Sequence, residues 1–79
     1  MRYDPIIIGS TIRKLRKERG MSQELLSGLS GIARTHLTMI ESGTKHANFE
    51  TLCKIASALE LRPSQLVAEI EAACESDPD

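Results

Sequence analysis

Aromatic residues are almost missing from this 79-residue chain: one Tyr, one Phe and no Trp. Its core is left to Leu, Ile, Val and Ala, which favours helix packing over a sheet sandwich. Cysteines are few and isolated. Cys53 and Cys74 form no CxxC pair, so neither a disulfide framework nor a thiolate metal site is indicated, and free thiols in a cytoplasmic protein are the expectation. His36, His46 and Cys53 are separated by 10 and 7 residues, which matches no zinc pattern. No apolar run approaches the roughly 20 residues that span a bilayer. Ile6-Ile7-Ile8 is too short for a signal sequence. A Gly-rich phosphate loop, an HExxH helix and a nucleophile elbow are all lacking, so enzyme readings have nothing to stand on. No metal and no cofactor is expected.

What is present is one small domain. A chain this short buries only about 60–65% of its unfolded surface. The hydrophobic fraction of 41% is ordinary for a folded protein. Net charge is −1, which taken whole argues against a nucleic-acid partner, but the charges are segregated. Residues 1–45 carry eight Lys/Arg against four acids, giving +4; residues 46–79 carry two against seven, giving −5. A basic face with an acidic remainder follows, and only the face that meets phosphate needs to be positive.

Periodicity gives five helices. Asp4-Pro5 reads as a cap followed by proline at the first helical position, and Ile8, Ile12, Leu15 and Arg16 then share a face up to Gly20. Arg13, Lys14, Lys17 and Arg19 form the outer, basic surface of that helix. Ser22 caps a second helix over about 23–29, in which Gly28 costs roughly 1 kcal/mol relative to alanine. A third helix covers about 33–42. Asn48 caps a fourth, about 49–60, with Phe49, Leu52, Cys53, Ala56 and Leu59 as its apolar stripe. Pro63 opens a fifth, about 63–74, with Leu66, Val67, Ile70, Ala73 and Cys74 inward. The expected domain is residues 1–79, with its core at about 5–74 and an acidic, frayed tail over 75–79.

The second and third helices meet at Gly31, with Leu26, Ile32, Leu37 and Ile40 apolar and Ser27 small where the helices must cross. This spacing is that of a helix-turn-helix, which holds one helix rigidly for entry into a DNA major groove. Met21-Ser22-Gln23-Glu24, Leu26, Gly31-Ile32, Leu37, Ile40-Glu41 and Gly43 resemble the Cro and phage-repressor type of helix-turn-helix domain, the Xre family, over about Ile8 to Val67. The run from Gly31 to Glu41 is similar to the controller proteins of restriction–modification systems. The resemblance implies an all-α, five-helix, lambda-repressor-like fold and a structural ion pair between Arg16 and Glu41. Three positions depart from it. Ala33 stands where the family usually has a serine cap, Ala47 where proline is common, and His36 where controller proteins often carry tyrosine.

Candidate contacts follow from residue chemistry. Arg34, Thr35, Thr38 and Met39 are the candidates for base reading. Arginine donates twice to guanine, threonine donates, accepts or touches a thymine methyl, and methionine offers apolar contact. The bland alternative for the two threonines is surface filler. Gln23, Lys45, His46 and Asn48 are candidates for phosphate, Gln23 because exposed N–H groups at a helix start attract anions. His36 either joins them or packs. One reading helix sees few bases, so a homodimer on a palindrome with half-sites about 10 bp apart is expected. Leu61, Val67, Ile70 and Cys74 are the candidate dimer surface; in a monomer they would instead finish the core. The expected partner is double-stranded DNA. The rival reading is an antitoxin or adaptor whose acidic C-terminal helix binds another protein.

Overall fold

Four of the five helices begin where a side chain, or proline, serves the first turn, whose amides lack intrahelical partners. The structure, a computed structural model, describes residues 2–76 as five helices: α1 (Pro5–Glu18), α2 (Gln23–Ser30), α3 (Arg34–Ser42), α4 (Phe49–Ala58) and α5 (Pro63–Glu75). No strand occurs among the described residues. Asp4 Oδ1 accepts from the Ile6 amide at 2.8 Å, Ser22 Oγ from Leu25 at 3.0 Å and Asn48 Oδ1 from Thr51 at 2.8 Å. Ala33 caps α3 with no side-chain bond. Arg62 has no acceptor to offer α5; there Gln65 Oε1 reaches back to the Arg62 amide at 2.8 Å.

The ends are equally local. Gly31 takes φ +72° in the turn between α2 and α3, where the Ile32 amide bonds to the Ser27 carbonyl at 3.1 Å. A residue with a Cβ resists that left-handed conformation. α4 closes the same way without a glycine. Glu60 has φ +60°, and the Leu61 amide reaches Ala56 O at 2.8 Å. Helix α4 therefore stops at Ala58, two residues short of the sequence expectation.

The five helices enclose Ile12, Leu15, Leu26, Leu37, Ile40, Ile55, Ala56, Leu59, Leu66, Ile70 and Cys74, a core with no aromatic residue. Helix α1 crosses α3 closely because Gly9 is buried against it. A Cβ on Gly9 would overlap the Ile40 carbonyl oxygen and stand 2.7 Å from the Glu41 oxygen. The buried hydroxyls of Thr11, Ser27 and Ser30 bond to carbonyls of their own helices, as such residues do mid-helix. Among the described residues no buried side-chain N or O lacks a partner.

Three expectations need correction. Phe49 is 69% exposed rather than the start of the α4 stripe; Ala56 and Leu59 are buried as expected, and α4 buries Thr51 and Ile55 beside them. Ile70 and Cys74 are buried in the protomer's own core, which withdraws them from any dimer surface. Glu75 belongs to α5 and Ser76 is its C-cap, not a tail; the rest of the expected tail, 77–79, lies outside the described residues. Arg19 is exposed, as expected of the outer face of α1, and its guanidinium is engaged. It donates to the Leu59 carbonyl at 2.9 Å and the Leu15 carbonyl at 3.1 Å, tying α1 to the end of α4.

Candidate nucleic-acid interface

Helix α3 turns Leu37, Ile40 and Glu41 inward and leaves Arg34, Thr35, Thr38 and Met39 exposed, with His36 half-buried. Arg34 opens the helix, whose first-turn amides are served by neither a cap side chain nor an acidic residue. This end of α3 is a bare positive pole.

The rear of α3 is held by charge. Arg16 Nε donates to Glu41 Oε2 at 2.8 Å and Arg16 Nη2 to Glu41 Oε1 at 3.0 Å, while Nη1 reaches the Met21 carbonyl at 2.8 Å. The two side chains are only 8% and 3% exposed. A two-pronged fork of this kind fixes direction as well as distance. Because Arg16 lies on α1 and Glu41 near the end of α3, the pair sets the angle at which α3 is presented.

Gln23 continues the network to the surface. Its Nε2 donates to Glu41 Oε1 at 3.0 Å, and its Oε1 accepts from Thr38 Oγ1 at 3.1 Å. Arg13, Arg16, Gln23, Thr38, Glu41 and Ser42 line one shallow cleft between α1 and α3. The structure thus brings Gln23 and Thr38 together and adds Arg13, a residue the sequence reading left among the general charges of α1. The signal for Arg13 was its place three residues before Arg16, one turn along the same helix side.

On the far side of α3, the Thr44 and Lys45 amides bond to the Met39 carbonyl at 3.0 and 3.2 Å. Lys45, His46 and Asn48 follow, all exposed. Lys45 and His46 lean over a small cavity floored by Ile8, Ile40 and Leu52. The side-chain oxygen of Asn48 is occupied by its cap, so what it leaves toward solvent is its amide group. Of the four candidate dimer residues, Leu61 is half-buried and Val67 is 38% exposed.

Residues 12–66 match the HTH_3 helix-turn-helix family model. The chain belongs to that family. Among HTH_3-type relatives, the control protein C.MunI from a Mycoplasma species is 34% identical over 67 residues, covering 84% of this chain and 90% of that one. The restriction–modification controller protein C.AhdI from Aeromonas hydrophila superposes with a TM-score of 0.77 at 34% identity, over 82% of this chain and 98% of that one. The controller protein C.Esp1396I, solved as a tetramer in complex with its natural 35-base-pair operator, superposes with a TM-score of 0.74 at 28% identity, over 90% and 99%. As an HTH_3 domain the chain is all-α with its helix-turn-helix at α2 and α3. No helix among its described residues is long and apolar enough to cross a membrane.

Proposed function

We propose that this HTH_3 protein is a sequence-specific DNA-binding transcriptional regulator of the controller type. It acts in the cytoplasm as a homodimer on a palindromic operator. The observation that carries this is the exposed face of α3. Its polar side chains point outward from a helix whose back is locked by the Arg16–Glu41 fork. A reading helix must be both open and rigid.

In this reading α3 lies in the major groove. Arg34 donates to a guanine edge, and Thr35, Thr38 and Met39 contact neighbouring bases. Gln23 and Arg13 hold phosphate on one side of the groove. Lys45, His46 and Asn48 hold it on the other, with His36 at the margin. The acidic residues of the second half, from Glu50 to Glu75, face away. Nothing in the relatives' names favours the adaptor alternative, which alone would dispense with DNA.

The test is selection of bound duplexes from a random pool, followed by titration at two salt concentrations. Arg34→Ala is expected to weaken the selected operator by about 1–3 kcal/mol and to relax preference at one guanine. Lys45→Ala is expected to weaken all duplexes alike and to lower the salt slope by about 1. Equal affinity of wild type and Arg34→Ala for the selected operator would remove the reading role of Arg34.

A further inference from the structure

The amide of Gln23 has a fixed direction, and the direction has a cause. Glu41, gripped by the Arg16 fork, is a carboxylate and only accepts. The NH2 end of Gln23 must therefore face Glu41, at 3.0 Å, and the carbonyl end must face Thr38, at 3.1 Å. Thr38 Oγ1 also lies 2.9 Å from the Arg34 carbonyl oxygen. A hydroxyl has one hydrogen, and both of these partners can only accept it. That hydrogen points into the protein whichever partner takes it. The exposed side of Thr38 Oγ1 then carries lone pairs alone.

We propose that Thr38 reads its base pair as a hydrogen-bond acceptor, taking a proton from an exocyclic amino group, adenine N6 or cytosine N4. Glu41, acting through Gln23, is the positioning residue that sets this polarity. The inference rests on the reading of α3 as the helix in the groove and adds to it the chemical edge that Thr38 selects. Guanine O6 and N7 and thymine O4 are acceptors, so they have no bond to make with a hydroxyl whose hydrogen is already engaged. The second hydrogen of Gln23 Nε2 remains for phosphate.

Each base pair shows one amino group and one carbonyl in the major groove, so base analogues decide what sequence selection alone does not. Thr38→Val keeps the shape and loses the hydroxyl. Comparing the duplexes selected by wild type and by Thr38→Val locates the base pair that Thr38 reads. Replacing the adenine there by purine, or the cytosine by 2-pyrimidinone, removes only the amino group. Wild-type binding is expected to fall about fivefold, the worth of one neutral hydrogen bond, and Thr38→Val binding to stay unchanged. Glu41→Gln lets the amide turn over. Sensitivity to amino removal is then expected to shrink by half or more at that base pair alone, with the guanine read by Arg34 unaffected. Gln23→Leu, which leaves the Arg16–Glu41 fork and the Arg34 carbonyl in place, is expected to keep the dependence on the amino group, because that carbonyl still takes the Thr38 hydrogen.

The polarity is overturned if wild-type binding ignores the amino group, or depends instead on the carbonyl of that pair or on a thymine methyl. A loss spread evenly over all base pairs in Glu41→Gln leaves Glu41 a structural residue and overturns its positioning role. A pool from which the wild type selects nothing sinks the underlying reading together with the proposal. A selected operator indifferent to the Thr38 hydroxyl sinks the proposal alone.

Discussion

Gly9 and Gly28 both lie inside helices, and only one of them is needed there. At Gly9 the backbone of α3 stands where a methyl group would go, so Gly9→Ala must push α1 away from Ile40 and Glu41. The neighbour is backbone, which cannot swing aside as a flexible side chain would. A destabilisation of about 3 kcal/mol is expected, the upper end of the overpacking range. Gly28 is exposed, and a Cβ built on it meets no atom within 4 Å. Gly28→Ala is expected to stabilise the fold by about 0.5–1 kcal/mol through helix propensity. Urea unfolding followed by circular dichroism measures both; a shifted midpoint with an unchanged slope is the sign of a pure stability change. The cost of Gly28 follows from propensity alone and was legible in the sequence. The need for Gly9 was not, because it depends on how close a helix 31 residues further along the chain approaches. The left-handed Glu60 was illegible for a similar reason: glycine marks such positions, and here there is none.

Pairs of helices carry the next level of the argument. The Arg16–Glu41 fork joins α1 to α3, and the same carboxylate anchors Gln23 at the start of α2. Three elements of the reading head thus share one buried charge pair. Arg16→Met fills similar space but leaves Glu41 as an unpaired carboxylate, and a loss of about 3–5 kcal/mol is expected. In a domain of this size that is a large share of the total. Arg16→Met combined with Glu41→Leu removes both charges and is expected to recover most of the loss. If the single variant unfolds at the same urea concentration as wild type, the fork contributes no net stability. At this scale the sequence was a mixed guide. It placed all five helices, with ends off by two residues or fewer. The buried face of α4, however, was only partly legible. Ala56 and Leu59 are buried as the stripe required, while Thr51 and Ile55, outside that stripe, are buried too. Phe49, at the first position of α4, stands out past the core. The ion pair came from resemblance to a family, since residues 25 apart in sequence announce no contact by spacing.

For the molecule as a whole, the proposed operator recognition calls for self-association. One α3 offers four exposed contacts, too few to single out a site in a genome. Two copies related by a dyad multiply their discrimination and add an address in the spacing of the half-sites. Ile70 and Cys74 contribute nothing to such an interface because they complete the protomer core, so the surface must be built from what α5 and its approach leave outside. Leu61 and Val67 are the candidates that remain. Wild type is expected to sediment at twice the 8.7 kDa protomer mass. Val67→Glu introduces a charge that would be desolvated twice in a symmetric contact, once on each side. It should therefore sediment as a folded monomer, with an unchanged circular dichroism spectrum, since Val67 is not part of the core. Its operator affinity should fall steeply while its affinity for a single half-site is retained, because the second half-site no longer binds as an intramolecular event. A Val67→Glu protein that remains dimeric moves the interface elsewhere on the surface. A wild type that sediments at 8.7 kDa even when bound to its full operator removes the dimer altogether, and leaves unexplained how so small a reading surface finds its site.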